Sequence, residues 1–216
     1  MITIAKTASV PVPLWLHEVM AIIRQRVPPH QFKMMFESLM TAVSKTRGMP
    51  IKKWNRIHDL WLADLTDACL ERATLANKPA AYCTEIVRAC RMVSAALRSG
   101  DRAHFTEAFG QAVAAAAVAV KEVGAAHTAA DAAAALDVAD AAITAVSAAA
   151  ATAPLLSVAV NATSGSFMRA AQLAELRWSR SALDAANAAA GRSGSSKIYD
   201  DLHRKLLINI EDAARQ

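Results

Sequence analysis

The sequence is poor in aromatic residues and cysteines and contains no paired-cysteine motif. Only 5% of its 216 residues are aromatic, and its three cysteines are Cys69, Cys83 and Cys90. None of them has the Cys-x-x-Cys spacing of a zinc ligand pair, and an odd number argues against a disulfide framework. Small thiols inside helical patterns are common in protein cores, so we expect reduced cysteines and a cytoplasmic location.

Sequence motifs for catalysis and cofactor binding are also missing. The chain has no Walker motif, no Gly-x-Gly-x-x-Gly, no Gly-x-Ser-x-Gly, no His-Glu-x-x-His and no calcium-binding loop. The sequence therefore predicts a protein that is not an enzyme and that has no catalytic residue, no cofactor and no metal ligand.

Long apolar runs suited to a membrane are interrupted. The amino terminus has Lys6, Pro11 and Pro13 within its apolar run, which does not fit a secretory signal. The longest uncharged stretch, residues 141–168, is long enough to span a bilayer but consists mostly of Ala, Ser and Thr, with Pro154 in its middle. We interpret it as buried helix, turn and helix, and expect no membrane partner.

Alanine dominates what is present. Hydrophobic residues make up 54% of the chain, and the excess is alanine between about residues 103 and 190. Alanine is the best helix former and a poor strand former, and no segment alternates with a period of two. The fold class predicted is all-α, a bundle of about eight helices with an alanine-rich, closely packed core.

Prolines and glycines mark the expected helix boundaries. The predicted helices cover about 13–27, 29–45, 50–76, 79–98, 101–124, 125–151, 165–190 and 195–214, with a short helix or turn after Pro154. A soft boundary near Gly100 separates a basic amino-terminal part, 1–100, from an alanine-rich part, 101–216. We expect the two parts to form one folding unit, because a narrow alanine core buries little area per residue.

The sixth predicted helix carries a seven-residue repeat. One row is Ala125, Ala132, Ala139 and Val146, and the next is Ala129, Leu136, Ile143 and Ala150. Small side chains in both rows let a neighbouring helix approach closely. The sequence leaves open whether that neighbour belongs to the same chain or to a second copy in a homodimer.

Positive charge is concentrated towards the amino terminus. Residues 1–60 hold nine Lys/Arg against three Asp/Glu. The residues that flank the second predicted turn, and that we single out as contacts for a protein partner or nucleic acid, are Lys45, Arg47, Lys52, Lys53 and Arg56. Basic side chains neutralise phosphates and tryptophan stacks on bases, but Trp54 lies on the apolar stripe and is expected in the core.

Other polar clusters have simpler interpretations. His127 and Asp131, one turn apart, could form half of a metal site, although a solvated helix face is the favoured reading. His58 is expected to pack beside a tryptophan. The carboxylates Asp64, Asp67 and Glu71 are interpreted as solvated charges, and Met34, Met35 and Met40 either as core or as an adaptable binding surface.

Two segments carry a family resemblance. The stretch FGQAVAAAAVAVKEVGAAHTAADAAAALDVADAAITAVSAAA resembles the alanine-rich helical cores of immunity-type proteins from bacterial toxin loci and phages, through Gly110-Gln111-Ala112 and Ala126-His127-Thr128-Ala129. The ending YDDLHRKLLINIEDAA is similar to the closing helix of alanine-rich phage proteins of unknown function. The resemblance covers about the second half of the chain and implies a non-enzymatic protein that binds another macromolecule.

Three hypotheses follow for the function. The leading one is a helical phage or mobile-element protein that inhibits a toxin, a host-defence complex or a host enzyme by binding it. The second is a nucleic-acid-binding module that uses the basic amino-terminal third. The third is a self-assembling structural protein whose alanine seams form a homodimer.

Overall fold

The computed structural model confirms an all-α bundle. It describes residues 12–75, 81–101, 103–151, 157–190 and 195–215, and within them it contains nine helices and no strand. The helices are α1 (Leu14–Arg26), α2 (Pro29–Ser44), α3 (Ile51–Leu75), α4 (Ala81–Ser99), α5 (Ala103–Ala125), α6 (Ala129–Ala150), α7 (Ser157–Trp178), α8 (Arg180–Ala189) and α9 (Ser195–Arg215).

The chain divides into two compact units. Unit 1 comprises Met1–Trp61 and Gly194–Gln216, and unit 2 comprises Leu62–Ser193. Unit 1 therefore combines α1, α2 and the first part of α3 with the last helix, α9. The position near Gly100 that we expected to separate two parts lies inside unit 2, between α4 and α5.

Unit 1 has a core of large side chains supplied by its four helical segments. Its fully buried members are Leu16, Val19, Ile23, Leu39, Val43, Ile57, Trp61, Leu202, Leu206 and Ile210. Proline begins α2 at its first position, where a missing N–H costs no hydrogen bond, and Gly48 has a φ of +82° in the turn after α2. The predicted helices at 13–27, 29–45 and 195–214 are confirmed to within two residues.

Unit 2 is built around α6. This helix contacts α4, α5, α7 and α8, and 14 of its 22 residues are buried. Burial on so many sides fits a helix whose composition is apolar all round. Of the predicted row, Ala132, Ala139 and Val146 are fully buried, so the closely packed seam lies within the chain. Ala125, the first predicted member of the row, is instead the exposed last residue of α5.

Three predicted boundaries were wrong. The predicted helix 125–151 begins only at Ala129, because α5 continues to Ala125 and Thr128 caps α6 by accepting a hydrogen bond from the Asp131 N–H. The predicted helix 165–190 is two helices, since α7 begins at Ser157 and the chain breaks at Ser179, where φ is +57°. The proposed turn after Pro154 lies outside the described residues.

On α3 the helical period of the sequence predicts a buried stripe, and the structure confirms only its first half. The predicted members are Trp54, Ile57, Trp61, Leu65, Ala68 and Cys69. Trp54, Ile57 and Trp61 are buried, but beyond them Leu65 is only half-buried. Leu62, Ala63, Thr66, Leu70 and Ala73 are buried instead. The buried side of α3 changes where the helix passes from unit 1 to unit 2, because the packing partners change there.

Two helices are long and apolar enough to cross a membrane by length and composition alone. They are His104–Ala125 within α5, and α6. The apolar window of α6 is 72% buried inside the protein, and core helices of water-soluble proteins pass the same criterion. The finding is consistent with a soluble protein.

Candidate interaction surface

All five basic residues singled out from the sequence lie in unit 1. They surround the turn that joins α2 to α3. Within that turn the Thr46 hydroxyl donates to the Val43 carbonyl oxygen at 2.6 Å, and the Met49 N–H donates to the Thr46 carbonyl oxygen at 2.9 Å. The turn is thus closed by its own hydrogen bonds.

Two of the five basic side chains are held by the end of α9. Lys45 Nζ lies 3.1 Å from Glu211 Oε1, and Lys53 Nζ donates to the Ala213 carbonyl oxygen at 3.1 Å. The carbonyl groups at a helix carboxyl terminus carry partial negative charge and attract cations, which explains the second contact. These two lysines stabilise the packing of unit 1.

The other basic residues differ in exposure. Arg56 is half-buried, whereas Arg47 and Lys52 are exposed. Arg47 and Lys52 form no ion pair with any residue that the structure describes. The outward positive charge of this turn therefore comes mainly from Arg47 and Lys52.

The aromatic residues near this turn belong to the core. Trp54 is buried, as predicted, and packs edge-on against Trp15 with ring centroids 6.2 Å apart. His58 stacks on Trp15 at 4.6 Å with an interplanar angle of 17°. Burial lowers the pKa of His58 to about 4, so the ring is neutral at pH 7. Because Trp54 is buried, it cannot serve as a stacking platform for a base.

The outer flank of α2 exposes aromatic and methionine side chains. Phe32, Phe36 and Met40 follow one another at four-residue spacing and form what we call the Phe/Met ridge. The Phe36 side chain is 42% exposed and that of Met40 41%, while the rings of Phe32 and Phe36 stack with centroids 6.0 Å apart. Helical periodicity places Phe36 on one apolar stripe with Met35 and Leu39 and so predicts its burial, and this prediction was wrong. Met35 is core, and Met34 is exposed on another side of α2.

Net charge differs sharply between the two units. Unit 1 contains 13 Lys/Arg against 7 Asp/Glu, a net charge of +6, whereas unit 2 contains 11 against 12, a net charge of −1. Unit 1 therefore carries the positive charge of the whole chain, and the Phe/Met ridge lies in that unit.

A serine–histidine pair, of which the histidine is buried, joins α2 to α9. Ser38 Oγ lies 2.9 Å from His203 Nε2, and the same hydroxyl donates to the Met35 carbonyl oxygen at 2.9 Å. A nucleophilic serine needs a base that is itself oriented by a third group, yet no residue in the described part of the chain forms a hydrogen bond with the buried His203 Nδ1. The arrangement fits helix packing better than nucleophilic catalysis. The two residues are 165 positions apart, so no local pattern could have revealed the pair.

The acidic cluster in unit 2 is paired across two helices. Arg98 of α4 contacts Asp64 Oδ1 at 2.8 Å and Asp67 Oδ2 at 2.7 Å, and it also bonds to Ser94. The interpretation of Asp64 and Asp67 as solvated charges was therefore wrong, because α4 lies beside this face of α3. Asp67 and Arg98 line an open groove of about 520 Å³, together with Glu71 and Arg91.

His127 and Asp131 do not share a helix face. His127 lies in the connection before α6, and Asp131 takes part in the cap of that helix through the Thr128 hydroxyl at 2.8 Å. Both line a small open pocket with Glu122. Among the described residues, no group of three or more His, Cys, Asp or Glu side chains is placed to hold a metal ion.

Two cysteines lie where their side chains are described. Cys69 is half-buried and Cys90 is buried, and neither forms a disulfide bond with another described residue. Burial is the main cause that raises the pKa of Cys90 to about 12, so this thiol is not a nucleophile at neutral pH. The side chain of Cys83 lies outside the described residues.

Comparison with known proteins yields no match. No protein-family model, no curated protein and no solved structure matches this chain.

Proposed function

We propose that this chain is a non-enzymatic binding protein that acts by occupying a surface of another protein. The observation that carries the proposal is the Phe/Met ridge on α2. Phe36 and Met40 are exposed on a helix whose other side lies in the core of unit 1. Phenylalanine and methionine are enriched at protein interfaces, whereas a nucleic-acid surface is contacted chiefly by basic and polar groups.

The spacing of the ridge fits a known mode of recognition. Side chains at i, i+4 and i+8 of a helix lie above one another and can enter an apolar groove on a partner. Methionine adapts its shape to such a groove, because its side chain is unbranched and has three rotatable bonds. The ridge would therefore act as the apolar anchor of the interface.

Charge supports an acidic partner. Unit 1 has a net charge of +6, and Arg47 and Lys52 project from it. Complementary charge speeds encounter and excludes wrong partners more than it adds affinity. We propose as partner an acidic surface of a toxin, a host-defence complex or a host enzyme in the bacterial cytoplasm, as the resemblance of the alanine-rich segment implies.

The proposal is tested by affinity capture from host lysate with matched surface variants. The ridge variant carries Phe36→Ser and Met40→Ser, and the control carries Leu173→Ser and Leu176→Ser on α7, where both leucines are exposed. We expect one protein to bind the wild type and the control in stoichiometric amount, and to be lost from the ridge variant. Circular dichroism should show that both variants remain folded.

Other results would contradict the proposal. A partner retained by the ridge variant but lost from the α7 variant would place the interface elsewhere. An eluate without any specific protein would remove the basis for a binding protein of this kind.

Nucleic-acid binding is the second candidate, favoured by the exposure of Arg47 and Lys52 beside the Gly48 turn. It requires affinity that falls steeply with salt and that weakens when both residues are changed to glutamate. Lys121→Glu on α5 is the matched control, since Lys121 is exposed in unit 2. If the eluate contains nucleic acid and no specific protein, the binding surface would be assigned to this turn and the function to nucleic-acid binding.

Self-assembly is the third candidate. Because the alanine row of α6 is buried within the chain, a homodimer would have to use a different face. Light scattering at increasing protein concentration tests it, since a homodimer would show a mass that rises with concentration.

A further inference from the structure

The packing of α9 against α2 includes a line of polar contacts. Gln31 Nε2 donates to Asp200 Oδ1 at 2.5 Å, Ser38 Oγ lies 2.9 Å from His203 Nε2, and Lys45 Nζ lies 3.1 Å from Glu211. On α2 these three residues are seven positions apart, so they form one row along the helix. His203 is in the middle of the line and is the residue that is most buried from solvent.

The geometry assigns a neutral imidazole to His203. The Ser38 hydroxyl donates its hydrogen to the Met35 carbonyl oxygen, so it must accept from His203 Nε2–H. The remaining ring nitrogen, Nδ1, is buried and has no hydrogen-bond partner among the residues that the structure describes. A proton added at Nδ1 would create a charged ring with an unsatisfied N–H in a site that is 7% exposed.

Few charged groups act on this ring. Burial lowers the pKa of His203 and outweighs Asp200, one turn earlier on α9, which is the one charged group among the described residues that favours the protonated ring. On α2, Lys45 is paired with Glu211, and Glu37, beside Ser38, is exposed and lies 4.0 Å from Lys33. From α1 the side chains turned inward are apolar, including Leu16 and Ile23.

We propose that His203 is an acid-sensitive latch that holds α9 on α2, and that its protonation at Nδ1 releases α9 and lowers affinity for the protein partner. The second part rests on the proposed function of the Phe/Met ridge, because the ridge is carried by α2. At neutral pH the latch is closed.

The direction of the pH dependence follows from the shift. Unfolded histidine has a pKa of about 6.5, and the folded form binds its proton less readily. The stability contributed by neutral His203 is therefore present above about pH 6.5 and is lost as the pH falls below that value. The equilibrium constant for the release of α9 then rises by up to about tenfold for each pH unit. His58 acts in the same direction through its own contact with Trp15.

Hydrogen exchange of the full-length chain tests the latch without any partner. After correction for the intrinsic pH dependence of exchange, we expect amides of α9 to lose protection severalfold between pH 7 and pH 5.2, while amides of α6 do not. His203→Gln, which retains a polar side chain but cannot be protonated, should remove this dependence. His58→Gln should leave the response of α9 in place.

Equal loss of protection in the wild type and in His203→Gln would overturn the latch, as would no loss in the wild type. Should His203→Gln fail to fold, the proton resonance of the His203 ring in the wild type decides, because a titration midpoint at or above 6.5 contradicts a neutral buried ring. Binding of the captured partner is measured separately at pH 7 and pH 5.2. If α9 loses protection at pH 5.2 as expected but affinity for the partner does not change, the proposed link between His203 and the Phe/Met ridge is wrong. The conclusion that His203 holds α9 on α2 would not be affected.

Discussion

The ion pair between Arg72 and Asp137 provides a quantitative test of how unit 2 is held together. Arg72 Nη2 of α3 lies 2.6 Å from Asp137 Oδ1 of α6. The aspartate side chain is only 5% exposed, whereas that of the arginine is 28% exposed. Asp137 is the one charged residue among the 14 buried residues of α6, most of which are alanine. Since alanine surfaces distinguish poorly between neighbouring registers, we expect this pair to select the register of α6 against α3.

The two single substitutions should have unequal costs. Arg72→Met removes the guanidinium that pairs with a carboxylate at a site nearly closed to water, and removal of one member of a buried pair costs about 3–5 kcal/mol. Asp137→Ala leaves a guanidinium that already reaches water, so we expect a smaller cost of about 1–2 kcal/mol. The double variant Arg72→Met/Asp137→Leu should lie within about 1 kcal/mol of the wild type, because no charge is left buried and unpaired.

Urea unfolding followed by far-ultraviolet circular dichroism measures these differences. The control is Arg180→Ala, which removes an exposed pair with Glu175 and should change stability by less than about 0.5 kcal/mol. Equal costs for the two single variants, or a cost below about 1 kcal/mol for Arg72→Met, would refute the reasoning.

Two further predictions concern the alanine core and the break before α8. Ala139 has no exposed surface, so Ala139→Leu overpacks the core and should destabilise the protein by about 1–3 kcal/mol in thermal unfolding. The control Ala114→Leu, on the exposed side of α5, should change stability by less than about 0.5 kcal/mol. Ser179→Gly should leave stability unchanged or raise it by up to about 1 kcal/mol, because a backbone with φ +57° and ψ 152° favours glycine. Little is lost with the serine hydroxyl, since its capping bond from the Ala182 N–H is 3.4 Å long. A clear loss of stability in thermal unfolding would contradict this prediction.

Local sequence signals located the elements of unit 1 well. Prolines at helix starts, Gly48 after α2 and the apolar stripe of α9 predicted helices that the structure confirms to within two residues. The same signals failed around His127 and at Ser179. Alanine favours helix on both sides of each break, so the composition could not show where one helix ends and the next begins.

Local sequence patterns could not predict the contacts between helices. Lys45 and Lys53 appeared as free positive charge, but the carboxyl end of α9 engages both. Asp64 and Asp67 appeared as solvated carboxylates, but Arg98 pairs with both. Each contact joins residues more than 30 positions apart, and helical periodicity says which side of a helix is apolar without saying which helix covers it.

The sequence by itself determined that this protein is helical and that its second half packs through small side chains. Both follow from alanine, because its helix propensity is intrinsic and its size limits how far apart packed helices can be. Only the tertiary structure decided that α9 joins the first helices, that the alanine row of α6 is buried within the chain, and that Phe36 and Met40 remain outside. Those outcomes depend on which apolar surfaces meet, and burial is a property of the assembled helices rather than of any one segment.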